Sequence, residues 1–308
     1  MKRFFVVAAA LIMSAGIASA QTLNEAAEIF ENARTAFANG DKAGSVALFT
    51  QALDIANALG DEGAELASDC KKNIPAIELS ILRDAVVEGA FDKAIADYDG
   101  ILAKAKDFAQ EDIVAELEEL IPQIWNEKGK SLNEAEDFEG AVAAFGKVLE
   151  LDPSNGNTAA RLGQALTKLN KLEEAKDAYL KAKENGVAVE KQLGNTTLKL
   201  AQAALKEKKF GEAYKLAVES AEYAENASAF QIAASAAQQG GKFKDAISAY
   251  EKFLELKPDA PAQIKYNLAT CYEKAGNKAK AIEFYKKVTS DAKYGKNAAA
   301  KIQALGGK

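Results

Sequence analysis

The sequence predicts an all-α protein, a right-handed α-solenoid of about seven antiparallel helix pairs with a C-terminal capping helix. Two periodicities and one packing argument lead there. Gly129, Ala141 and Phe145 recur 34 residues later as Gly163, Ala175 and Tyr179, with Val187 where Pro153 would repeat. Upstream the step lengthens: Ile74-Pro75-Ala76-Ile77 returns 47 residues on as Ile121-Pro122-Gln123-Ile124, and Phe91, Ala94 and Tyr98 return as Phe138, Ala141 and Phe145. A helix hairpin of this length cannot bury its own apolar faces, so copies must stack.

Taken in order, residues 1–20 read as a secretory signal peptide. Lys2 and Arg3 form a basic start, Phe4 to Ile12 an apolar run, and Ala18-Ser19-Ala20 a small-residue cleavage site. No later apolar run is long enough to span a bilayer, which takes about 20 residues. The first pair has Gly40-Asp41 at its turn and Ser45, Phe49 and Ala52 beyond it. The second and third carry the longer period, whose extra residues extend a helix by about 20 Å. Pro75 and Pro122 either start the packed helix or kink a longer one.

The third pair is the clearest. Trp125, Gly129 and Leu132 lie at helical spacing, Glu136-Asp137 makes the turn, and Phe138, Ala141, Phe145 and Val148 follow before Pro153 ends the unit. Gly129 and Ala141 are expected to let the two helices approach closely, with Trp125, Phe138 and Phe145 filling the gaps between them. The fourth keeps Leu162, Gly163, Leu166, Ala175, Tyr179 and Ala182. Leu200, Ala201, Phe210, Ala213 and Ser220 mark the fifth. The sixth has Ala234, Gly241, Phe243, Ala246, Tyr250 and Phe253, and the seventh Leu268, Ala269, Tyr272, Gly276, Ala281 and Tyr285. A lysine-bearing helix from Ala292 to Leu305, without a partner, is the expected solvating cap.

A large residue, Gly or Ala four later and a small Ala twelve beyond, as in Trp125, Gly129 and Ala141, resembles the tetratricopeptide repeat. The likeness covers nearly the whole chain after residue 20 and is closest in the last five pairs. It implies that the first helix of each pair lines a concave groove. Carried across residue by residue, the central row is Lys130, Gln164, Gln202, Ser235 and Thr270. Asn126, Arg161, Lys199, Gln231, Tyr266 and Asn267 stand one turn earlier. Amides dominate, and an amide offers donor and acceptor together, which suits an extended peptide backbone. Lys130 and Arg161 supply part of the clamp with which some family members hold a C-terminal carboxylate; the rest of that pattern is missing.

Composition narrows the chemistry. The chain has no histidine, so His-based triads, His-ligated zinc and His proton shuttles are excluded. No Gly-rich phosphate loop and no CxxC occurs, and no catalytic or cofactor site is expected. Cys70 and Cys271 read as small apolar helix residues rather than a disulfide. Charge divides the chain into an acidic region of longer repeats, residues 21–155, and a basic region, residues 156–308. The first holds 28 acidic against 11 basic residues, a balance of −17, and the second 17 against 26, a balance of +9. Such opposed fields can steer a partner or a second copy.

The functional expectation is a non-enzymatic scaffold or peptide-binding protein of the bacterial cell envelope, in the periplasm, at the outer membrane or secreted. Its partners would be other envelope proteins or exported polypeptides, with self-association between the oppositely charged ends and no nucleic acid. The alternative is a glycan- or cell-wall-binding accessory protein using Tyr266 and Tyr223. The small residues at Ser45, Ala94, Ala141, Ala175, Ala213, Ala246 and Ala281 are expected to be packing positions. Ala141→Leu should therefore overpack its pair and cost about 1–3 kcal/mol. Thermal or urea unfolding checks this, and an unchanged midpoint would refute the register.

Overall fold

The computed structural model describes residues 22–307. The signal-peptide reading of residues 1–20 lies outside them. Among the described residues there are fifteen α-helices and no strand. None of these helices is long and apolar enough to cross a membrane. The chain divides into two compact units between Ile124 and Trp125.

Unit 1 contains α1 (Leu23–Ala38), α2 (Lys42–Ala58), a 3-10 turn at Gly60–Gly63, α3 (Ala64–Val87) and α4 (Phe91–Asp107), and ends within α5 (Glu111–Glu134). Here α1 packs on α2, α2 on α3 and α3 on α4. The long period appears as helix length, since α3 and α5 each run 24 residues with Pro75 and Pro122 inside them.

Unit 2 continues with α6 (Phe138–Leu151), α7 (Gly156–Lys168), α8 (Leu172–Glu184), α9 (Glu190–Lys206) and α10 (Phe210–Tyr223). Beyond these come α11 (Ala227–Gln239), α12 (Phe243–Leu256), α13 (Ala262–Lys274), α14 (Lys278–Lys286) and α15 (Gly295–Ala304). From α6 onward each helix packs on its successor.

One turn closes all seven pairs. Gly40, Gly89, Glu136, Asn170, Lys208, Gly241 and Gly276 each sit in the left-handed region, with φ between 58° and 84°. The next residue donates its N–H to a carbonyl five positions back, at 2.8–2.9 Å; the pairs include Asp41 to Ala36, Lys171 to Leu166 and Asn277 to Tyr272. This is the Schellman closure, which satisfies carbonyls that the helix end leaves open. In three turns the same following residue also caps the second helix. Asp41, Asp137 and Asn277 accept the N–H three residues on, at 2.9, 2.9 and 3.1 Å.

Each of the seven predicted small positions is fully buried. Opposite them, rings fill space that a glycine leaves. A Cβ on Gly129 would stand 2.6 Å from the Phe145 ring, and one on Gly163 2.8 Å from the Tyr179 ring. Two hydroxyls staple the hairpins: Ser45 donates to the Ala33 carbonyl and Ser220 to the Gly194 carbonyl, both at 2.8 Å. Both cysteines are free and buried, and burial pushes their thiols up, Cys70 to about 11 and Cys271 to about 12. Such thiols stay protonated and act as packing groups.

Three details depart from the sequence reading. Trp125 and Phe138 do not fill the interior as Phe145 does. They are half-buried, with the ammonium of Lys128 5.1 Å and that of Lys168 5.9 Å from their respective ring centres. The final helix starts at Gly295 rather than Ala292, because the Asp291 carboxylate accepts the N–H groups of Lys293 and Tyr294 and holds a separate turn there. That helix also has a partner face, since Ala298 and Ile302 are buried in a core that runs from α9 to α14.

Non-glycine residues cost about 1–2 kcal/mol in the left-handed conformation. Glu136→Gly and Lys208→Gly should each therefore stabilise the protein by about 1 kcal/mol, raising its melting temperature by roughly 2–4 °C. Gly241→Ala should lower it. Thermal scans of the three variants test the shared turn.

Candidate functional site: the first-helix face of unit 2

All eleven groove candidates lie in unit 2, on the last part of α5 and on α7, α9, α11 and α13. The structure divides them into two groups, those bound up in internal contacts and those left open.

Asn126 and Arg161 are brought together across consecutive first helices, the Arg161 Nη1 donating to Asn126 Oδ1 at 3.3 Å. Thr158, which the sequence reading did not select, lies 3.4 Å from the same oxygen and stands one turn before Arg161 on α7. Lys130 pairs with Glu127 at 2.6 Å, three residues back on its own helix. The two parts of the suggested carboxylate clamp, Lys130 and Arg161, thus each hold an internal acceptor.

At the other end the candidates are tied down further. Asn267 donates to Tyr250 Oη at 3.3 Å, and Tyr250 donates to Gln238 at 2.7 Å. Thr270 donates to the Tyr266 carbonyl at 3.0 Å and lies 3.2 Å from Tyr285 Oη. The Tyr266 ring, half-buried, packs edge-on to Tyr285 at 5.3 Å and tilted against Tyr294 at 5.2 Å. Ser235 accepts from Gln239 at 3.0 Å.

Gln164, Lys199, Gln202 and Gln231 form the second group. They are exposed on α7, α9 and α11, and none makes a side-chain hydrogen bond among the described residues. Gln231 also edges a cleft of about 500 Å³ whose apolar wall is Phe253, Leu256, Pro258 and Pro261. These four carry unused donors and, in the amides, unused acceptors.

Electrostatics mark the far end of the unit. Burial would raise the Glu273 carboxyl, but hydrogen bonds from Lys301 at 2.8 Å and Tyr285 at 2.7 Å, with the Lys274 charge, hold it below the usual carboxylate value. Burial and the hydroxyl's bond to Glu273 push the Tyr285 phenol up, although Thr270 opposes this. Tyr250 is pushed up to about 12, chiefly by burial.

Consecutive hairpins sharing one turn and one small-residue contact define an α-helical repeat protein. Tetratricopeptide repeat family models match residues 132–188 and 233–297. These two stretches are tetratricopeptide repeats. Among solved structures it is similar to that of MamA protein, at 21% identity over 61% of this chain and 94% of that one, with a TM-score of 0.38. It is similar to YrrB, described as a TPR protein with an unusual peptide-binding site, at 23% identity over 57% and 91% of the two chains, TM-score 0.38. A third similarity is to a TPR2AB-domain:pHSP90 complex of yeast Sti1, at 16% identity over 92% and 97%, TM-score 0.35. Comparison with curated proteins found no match.

The depressed Glu273 carboxyl has a consequence for acid stability. A group whose folded pKa lies below its unfolded value, here about 4.5, contributes stability that is complete above that value and lost as pH falls through the folded one. Glu273→Gln should cost about 1 kcal/mol at pH 7 and flatten the acid limb of a melting-temperature profile below pH 4.5. Parallel acid limbs in the two proteins would remove Glu273 as a contributor.

Proposed function

We propose that this protein is a non-enzymatic scaffold of the bacterial cell envelope that holds an extended segment of another exported protein along the first helices of unit 2. The observation that carries this reading is the run of Gln164, Lys199, Gln202 and Gln231, exposed on three successive first helices and without internal partners. An extended backbone presents a donor and an acceptor at every residue, and this row can answer both. Location in the envelope rests on the signal-like residues Lys2 to Ala20. Glycan stacking is disfavoured, because the Tyr266 ring is committed to Tyr285 and Tyr294.

A photo-crosslinking residue at Gln202 in native cells should capture a defined polypeptide partner. In a second protein, combining Gln164→Ala, Gln202→Ala and Gln231→Ala should reduce recovery of that partner by about tenfold while leaving the melting temperature unchanged, since surface changes of this kind cost little. Equal recovery by both proteins would sink the reading.

A further inference from the structure

Unit 1 contains a different kind of site, on helices that take no part in the amide row. There α2, α3 and α4 enclose a cleft of about 490 Å³. Val46, Ile81 and Ile101 give it an aliphatic wall, one residue from each helix. Beside that wall Glu78 pairs through Oε1 with the ammonium of Lys104. The other carboxylate oxygen, Oε2, is buried and has no hydrogen-bond partner. The Glu78 side chain as a whole is only 16% exposed.

A buried acceptor left without a donor is destabilising, and more so when it is charged. Native proteins rarely tolerate one. Asp97 also lines the cleft, so Glu78, Asp97 and Lys104 together leave a net charge of −1. Gly100 adds a separate observation. It lies inside α4 and lines the same cleft, yet a Cβ placed on it would meet nothing within 4 Å. Glycine within a helix is less favourable than alanine, and here no neighbouring group requires it. Open space stands where its side chain would be, beside the cleft lining.

We propose that this cleft binds an aliphatic ammonium group, carried either by a lysine side chain of a partner polypeptide or by a free alkylamine. The ammonium supplies the missing donor to Glu78 Oε2 and cancels the local charge, while its alkyl stem lies on Val46, Ile81 and Ile101. Rotation about the soft terminal torsion of Glu78 turns Oε2 toward the ligand. A guanidinium fits less well, because its paired donors need both carboxylate oxygens and Lys104 already occupies one. The surrounding field has the right sign: residues 22–124 hold 21 acidic against 8 basic side chains. The site stands independently of the proposed peptide groove, which lies on other helices of the other unit.

The test uses the full chain after residue 20, labelled with carbon-13 at the isoleucine δ-methyls, titrated with pentylamine, with pentanol and with the capped peptide Ala-Ala-Lys-Ala-Ala. Pentylamine should shift the Ile81 and Ile101 resonances, and pentanol should not. Glu78→Gln should weaken pentylamine binding by about tenfold or more, the loss of one charge-assisted hydrogen bond. Gly100→Leu, whose Cβ would meet nothing within 4 Å, should narrow the cleft and weaken pentylamine binding, so it keeps the test valid if Glu78→Gln unfolds unit 1. The same shifts with the peptide would assign the ligand to a lysine side chain, and shifts with pentylamine alone would assign it to a free amine. Absent shifts with both, equal shifts with pentanol, or undiminished binding by a folded Glu78→Gln protein would overturn the proposal.

Discussion

Everything in this fold depends on how closely two helices of a pair can approach. The limiting contacts are steric: a residue no larger than serine on each second helix and, in two pairs, a glycine on the first, set against an aromatic ring. Where Gly129 faces Phe145 and Gly163 faces Tyr179, even one methyl group would enter the ring's space. Full burial of Ser45, Ala94, Ala141 and their four counterparts extends the same constraint along both units. Interiors packed at crystal density have no slack to absorb a wrong volume there.

This explains what could be read from the chain beforehand. Steric rules act at fixed spacing, so Gly129, Ala141 and Phe145 announce themselves, and so does the longer helix, signalled by the 47-residue step. Contacts between distant side chains leave no such imprint. Asn126 meets Arg161 35 residues away, and Glu78 meets Lys104 26 residues away, through rotamers that no local pattern fixes. Lys130 is instructive in the other direction. Its partner Glu127 sits three residues back on the same helix, a spacing that brings side chains together and that the assignment of Lys130 to the groove passed over. The start of the last helix was not legible, because one carboxylate, Asp291, sets it.

Polar groups enter the interior under equally strict terms. Tyr250, Tyr272 and Tyr285 bury their rings between helices and carry their hydroxyls to Gln238, Glu251 and Glu273. Each ring contributes apolar area while its oxygen stays satisfied, the arrangement that makes buried tyrosine affordable. The amides of the first helices show the opposite condition. Where Asn267 has found a tyrosine oxygen it has become part of the architecture, and where Gln202 has found nothing it remains open to a visitor.

The Schellman turns bear on how the molecule comes into being. Each links residues five apart, and the hydroxyl of Ser45 reaches only twelve residues back. A hairpin can therefore close soon after its second helix has been synthesised, and its neighbour can dock on it in turn. Chains dominated by short-range contacts assemble quickly, and repeat arrays can nucleate at any pair and grow outward. Such a polypeptide can be built vectorially, like a zip drawn from one end.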